Sequence, residues 1–201
     1  MPTFFFYCRD KAGAGGLRKQ VVESHWAFMD GYADGMVARG PTLTDDGTAP
    51  TGSMHIVDLP HNAAAQVFAF DEPNYKAGVY SDVMLRRWRN ALGRTMWEFE
   101  GDAERNQRFL VIGHGKPGMS DTRDGLLEDH RRYFIDKGYL DNFIERGPLY
   151  NDDESEWVGS AMLIELPDKA AVEAMLADEP YCKAGLYDSI EIHRWRFGGR
   201  H

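Results

Sequence analysis

The sequence predicts an α+β protein: two ferredoxin-like βαββαβ repeats packed as an intramolecular dimeric α+β barrel. The first observation behind this is a duplication. Asp71-Glu72-Pro73-Asn74-Tyr75-Lys76-Ala77-Gly78-Val79-Tyr80, followed by Trp88-Arg89, returns as Asp178-Glu179-Pro180-Tyr181-Cys182-Lys183-Ala184-Gly185-Leu186-Tyr187, followed by Trp195-Arg196. The offset is 107 residues, and Gly40-Pro41 and Gly52-Ser53 keep it with Gly147-Pro148 and Gly159-Ser160. Upstream it falls to 105, pairing Gly13 with Gly118 and His25 with His130. The second observation is the order of elements in each copy, β-α-β-β-α-β. With right-handed crossovers, that order gives a four-stranded antiparallel sheet with both helices on one face. The third is that such a sheet leaves an apolar face that must pack on something, and a tandem copy supplies it. Pairing of each unit with its counterpart in another chain is the alternative, and a homodimer on top of the pseudo-dimer is also compatible. The expected domains are residues 1–90 and 108–201, joined by a linker over 91–107.

The elements follow from local pattern. Residues 3–9 read as a buried strand, with Phe4-Phe5-Phe6-Tyr7 at its centre. Gly13, Gly15 and Gly16 break it. A helix is expected over 17–33, with Leu17, Val21, His25, Phe28 and Tyr32 as its inward stripe. A strand over 36–43 is interrupted by Gly40-Pro41, which predicts an edge or bulged strand. A turn over 44–48 leads to a strand over 52–59 with Met54, Ile56 and Val57 as its apolar members. Residues 61–70 predict a second helix with Ala64, Val67 and Phe68 inward, ended by Asp71-Glu72-Pro73 because the residue before proline avoids helical geometry. A turn over 74–78 precedes a strand over 79–88. In the linker, Met96, Trp97 and Phe99 are the expected anchors. The second copy repeats the order: strand 109–112, helix 121–137 with His130 inward, strands 143–149 and 157–166, a helix from Asp168 to Leu176, and strand 186–196.

The totals exclude several classes. The chain has 201 residues, 43% of them hydrophobic and 27% charged, with a net charge of -9. An acidic chain does not present the concentrated positive field of a nucleic-acid groove. No apolar run reaches the ~18 residues of a membrane span. Met1-Pro2-Thr3 runs into the first strand without a basic leader, so the default compartment is the cytoplasm. The two cysteines, Cys8 and Cys182, occupy unrelated positions and predict neither a disulfide framework nor a CxxC site. No HxH, HExxH or CxxC cluster offers a metal cage. No Walker loop or strand-linked GxGxxG predicts a nucleotide cofactor.

The pieces Arg9-Asp10-Lys11-Ala12-Gly13, His25, Gly40-Pro41, Gly52-Ser53, Asp71-Glu72-Pro73, Lys76-Ala77-Gly78 and Trp88-Arg89 together resemble the YCII-related domain family. The resemblance covers both copies and nearly the whole chain outside the linker. It implies a dimeric α+β barrel and cofactor-free acid–base chemistry on small molecules, with a His–Asp pair between helix and sheet.

On that basis the expected catalytic residues are His25 and Asp10. An acid on one imidazole nitrogen fixes the tautomer and raises the basicity of the other. The candidate binding residues are Arg9, which could meet an anionic substrate, Asp71, Trp88, His130 and His114. In the second copy the place of Asp10 falls to Gly115 and that of Arg9 to His114. His130 is therefore expected to lack the matching acid, leaving the first copy as the working site. Gly78 and Gly185 are expected to need a positive φ. The reading is a cofactor-independent enzyme of lyase or isomerase type with a small-molecule substrate. Its alternative is a non-catalytic small-molecule binder or accessory protein with a degenerate site.

Overall fold

The computed structural model describes residues 1–199; the last two residues of the expected second domain lie outside the described residues. Contacts divide the chain into two compact units, Met1–Arg89 with residues from Trp195 on, and Asn90–Arg194. This differs from the expected boundaries at two places. The residues expected to link the copies belong to the second unit, and residues 195–199 belong to the first.

In the first unit, β1 (Thr3–Asp10) is followed by α1 (Gly15–Asp30), β2 (Met36–Leu43), β3 (Pro50–Asp58), α2 (Asn62–Asp71), a one-turn helix α3 (Pro73–Lys76) and β4 (Tyr80–Trp88). β1 pairs antiparallel with β3 and β4, and β2 pairs antiparallel with β3, so the sheet order is β4-β1-β3-β2. Side chains alternate across it. Phe4, Phe6 and Val57 face the helices, where they join Met29, Ala65 and Phe68 in one apolar cluster. The partner register Phe6↔His55 and Cys8↔Ser53 places His55 and Ser53 on that same helix-facing side.

Three helical expectations are corrected. Leu17 is exposed, and α1 turns Arg18, Val22, His25 and Met29 to the interior wall, while Phe28 and Tyr32 pack against the core as expected. The four wall positions repeat at steps of four, three and four, the proper stripe of a helix; Arg18 belongs to it because an acid inside receives it. In α2, Val67 is 50% exposed; Ala65, Phe68 and Ala69 are buried, and Ala64 packs against the same cluster as expected. The expected turn over 74–78 is the helix α3, because the Glu72 carboxylate accepts the Asn74 and Tyr75 N–H groups, each at 3.0 Å, and Pro73 fixes the first turn. Gly78 follows with φ +75, and Gly185 in the second unit has φ +69, so both need the freedom of glycine.

The register of β2 shifts near Met36/Ala38 and Thr42/Leu43 rather than at Gly40-Pro41. Gly40 has another purpose. A Cβ there would stand 2.0 Å from the Arg196 carbonyl oxygen and 2.9 Å from the Trp195 ring. The chain after Trp195 lies against β2, with the Arg196 N–H donating to the Pro41 carbonyl and the Gly198 N–H to the Arg39 carbonyl.

The second unit holds β5 (Gln107–Gly115), α4 (Ser120–Gly125), α5 (Leu127–Asp136), β6 (Phe143–Tyr150), β7 (Trp157–Leu166), α6 (Lys169–Asp178), α7 (Pro180–Lys183) and β8 (Tyr187–Trp195), the last strand ending in the first unit. β7 pairs antiparallel with β5 and β6, and β8 lies beside β5. The single helix expected over 121–137 is broken at Gly125-Leu126 into α4 and α5. Asp168 caps α6 as the sequence predicts, accepting the Ala171 N–H at 2.8 Å. The Ala91 N–H donates to the Arg146 carbonyl, which is what Gly198 does on Arg39 in the other unit. Met96 is buried as an anchor, whereas Trp97 is 51% exposed. Among the described residues, no helix is long and apolar enough to cross a membrane.

Candidate functional site

A cavity of about 850 Å³ opens in the first unit between α1, the helix-facing side of β3, and the segment after Trp195. That volume suits a small molecule. Val22, Trp26, Met29 and Phe197 give it apolar wall; His25, His55, Ser53 and Asn74 give it polar groups.

His25 is the best-organised of these. Its Nδ1 is hydrogen-bonded to the Glu72 carboxylate, which is almost wholly buried. The same carboxylate takes the two N–H groups that start α3. An oxygen pair receiving this many donors acts as a carboxylate, so the imidazole Nδ1 carries the proton. The Asn74 carboxamide nitrogen lies 3.0 Å from that ring nitrogen and donates to the Tyr80 hydroxyl at 3.2 Å. Among the described residues, no protein group hydrogen-bonds Nε2 of His25.

The expected contact between His25 and Asp10 is not formed. A register shift in β1–β4 pairing at Arg9/Asp10 re-aims the strand end. Asp10 instead receives Arg18 in a two-toothed ion pair, Nε to Oδ2 at 2.5 Å and Nη2 to Oδ1 at 3.0 Å. Arg18 Nη2 also donates to the Ser53 hydroxyl at 2.6 Å. Asp10 thus holds a cation in the cavity wall, and the acid that meets His25 comes from the opposite end of the unit.

The remaining candidates fall as follows. Asp71 is exposed and paired with Lys76 at 2.8 Å; its neighbour Glu72 has the place expected of it. Arg9 pairs with Asp82 at 2.6 Å and does not line the cavity. Trp88 is buried in the core and does not line it either. His114 bonds Glu191 at 2.6 Å, apart from His130. His130 does have an acid: its Nδ1 bonds Glu179 at 2.6 Å. Glu179 is the counterpart of Glu72 at the offset of 107. Burial holds the His130 ring below its ordinary pKa despite that acid.

The two units nevertheless differ around the histidine. Tyr181 stands at the place of Asn74 and stacks on the His130 ring, with centroids 4.1 Å apart and planes 5° from parallel. Trp157 stands at the place of Pro50, buried, 6.3 Å from the Tyr181 ring. Aromatic rings therefore pack the second unit where the first has open wall.

Sequence reasoning missed Glu72, Arg18 and His55. Glu72 and Glu179 were visible as a Glu-Pro pair kept in both copies. His55 was visible as the residue two before Val57 in a strand whose alternate side chains face the helices. Its ring lies 6.0 Å from that of His25, and burial, followed by the charge of His25, holds it well below the usual histidine range, so it stays neutral. Among the described residues, no group of three His, Cys, Asp or Glu is arranged to hold a metal.

Fold and cavity define a duplicated α+β protein with a small-molecule-sized pocket beneath a helix histidine. The chain belongs to the YCII-related domain family, whose model matches residues 3–89 and 107–196. No curated protein matches it in sequence. Among solved structures, a mutant chlorite dismutase from Candidatus Nitrospira defluvii is 9% identical, over 96% of this chain and 91% of its own, with a TM-score of 0.63. An anthrone oxidase-like protein is 11% identical, over 98% and 90%, with a TM-score of 0.57. A 5-chloro-2-hydroxyhydroquinone dehydrochlorinase from Burkholderia phenoliruptrix AC1100, solved with 2,5-dihydroxybenzoquinone, is 24% identical over 46% of this chain and 98% of its own, with a TM-score of 0.42. The likeness to the first two is one of fold, the dimeric α+β barrel class.

Proposed function

We propose that the first unit is a cofactor-independent enzyme that moves protons on a small molecule, with His25 as the base and Glu72 as the residue that orients it. The observation that carries this reading is the His25–Glu72 hydrogen bond at a cavity wall. A carboxylate on Nδ1–H leaves Nε2 with its lone pair. Nε2 takes a proton from a substrate C–H or O–H, and the resulting imidazolium is stabilised by the Glu72 charge. The same Nε2–H returns the proton to a neighbouring atom in an isomerisation, or to a departing group in an elimination. The Asn74 and Tyr75 backbone N–H groups keep the acid in place against the ring. His130 is structural in this reading, since Tyr181 covers its ring.

The test is proton exchange in deuterated water, which can be followed without identifying a product. Enolisable keto acids and hydroxylated aromatic acids are incubated with the protein, and loss of their C–H signals is followed by proton NMR. Exchange should proceed on at least one of them and fall by about 10²–10⁴ in His25→Ala, the usual scale of general acid–base catalysis. Exchange of equal rate in His25→Ala would remove the reading.

A further inference from the structure

We infer that this cavity takes a compact organic carboxylate with a ring-sized apolar body. The inference rests on the proposed reading of the site and supplies its substrate class. It starts from charge. The whole chain carries a net charge of -9. Yet the described residues lining the cavity include four cations, Arg18, Lys19, Arg39 and Arg196, and no aspartate or glutamate. One-signed charge within low-dielectric walls focuses the field on the ligand.

Protein partners meet only part of this charge. Arg18 gives Nε and Nη2 to Asp10 and Ser53, and its Nη1 has no protein partner among the described residues. Lys19 and Arg196 make no ion pair among the described residues. Arg39 lies 3.7 Å from Asp30, and half of that carboxylate's surface is open to solvent, which screens the pair. Gly15 and Gly16, the first residues of the 16-residue helix α1, also line the wall. That helix start has no side-chain cap and no acidic residue in its first turn. Its N–H groups and dipole add to the same sign of field.

The rest of the wall sets the body of the ligand. Val22, Trp26, Met29 and Phe197 are apolar, and the exposed Arg196 guanidinium, which makes no ion pair among the described residues, offers a flat fork that matches the flat two-oxygen end of a carboxylate. A carboxylate held by the cations would present its adjoining carbon skeleton to His25. The second unit departs at the matching places: Asp124 stands where Lys19 does and pairs with Arg123 at 2.7 Å.

The experiment uses the full-length protein and pairs of probes that differ in charge alone: benzoate with benzamide, and phenylacetate with phenylacetamide. Binding is read from the Trp26 indole N–H signal in nitrogen–proton NMR, with Lys19→Gln and Arg196→Gln as variants at exposed positions. At least one carboxylate should bind saturably and at least tenfold more tightly than its amide. Each variant should weaken it about fivefold, and added salt should do the same. Amides that bind as well as their acids, carboxylates indifferent to both variants, or no saturable binding by either acid would each overturn the inference. None of these outcomes touches the His25–Glu72 coupling, which is read separately from an unfolding cycle that uses no ligand.

Discussion

If Glu72 holds His25, the two side chains must be energetically coupled, and the coupling can be measured without a substrate. The perturbation is a double-mutant cycle of His25→Ala, Glu72→Gln and the pair, read by urea unfolding. Glu72 accepts three donors: the His25 ring N–H and the N–H groups of Asn74 and Tyr75. A carboxamide keeps one acceptor oxygen and turns an N–H₂ toward at least one of these donors. Partial loss of the helix cap costs about 1 kcal/mol. Loss of a hydrogen bond to a charged group costs about 1.5–3 kcal/mol. Glu72→Gln should therefore destabilise the protein by about 2–4 kcal/mol. His25→Ala strands a buried carboxylate and should cost about 2–3 kcal/mol. Both single variants remove the ring's bond to a charged acceptor, so the double variant should be about 1.5–3 kcal/mol more stable than their sum. Asp10→Asn in place of Glu72→Gln should show no such coupling with His25. Additivity of His25→Ala and Glu72→Gln within about 0.5 kcal/mol would refute the pairing.

Other features give further tests. Burial, with Arg94 opposing it, pushes the Glu145 carboxyl up to about 8, and neither of its oxygens has a hydrogen-bond partner among the described residues. The native state thus holds this proton from pH 4.5 to about 8 while the unfolded state has lost it, so stability falls as pH rises through that window. Glu145→Gln should flatten the fall and stabilise the protein at pH 8 by up to about 5 kcal/mol in thermal or urea unfolding. Gly40→Ala places a methyl 2.0 Å from the Arg196 carbonyl oxygen; it should displace the segment after Trp195, lower stability by about 1–3 kcal/mol, and expose that segment to proteolysis. His130→Ala should destabilise by about 2–3 kcal/mol through its stranded acid, with no loss of proton exchange on any substrate that the first unit accepts.

Much of the fold was legible because duplication checks each element twice. The Gly-Pro and Gly-Ser pairs, the Glu-Pro helix stops and the closing Trp-Arg strands sit at one offset, and the strands appear within about two residues of their expected ends, except β5, which runs three residues further, to Gly115. The helix faces were less legible. Leu17 and Val67 look inward by residue type, but Arg18 takes the inward position at the start of α1 because Asp10 meets it there. The site was half legible. His25 was readable from its repetition as His130. Its acid was not, because the only acid near it in the family-like Arg-Asp-Lys loop is Asp10, and Glu72 looks like a surface residue ending a helix. Only the third dimension brings the start of α3 against the middle of α1. The same applies to the second unit, where Gly115 in place of Asp10 suggested a lost acid while Glu179 supplies it. What sets the two units apart is instead Tyr181 at the place of Asn74.

The most direct test is the protonation of the two His25 nitrogens, read by nitrogen–proton NMR with the signal assigned through His25→Gln. The expected result is a protonated Nδ1 with a downfield N–H proton and an unprotonated Nε2 in the neutral ring. That proton signal should move upfield or vanish in Glu72→Gln and stay unshifted in Asp10→Asn. A neutral ring protonated on Nε2, or a signal that survives Glu72→Gln and is lost in Asp10→Asn, would contradict it.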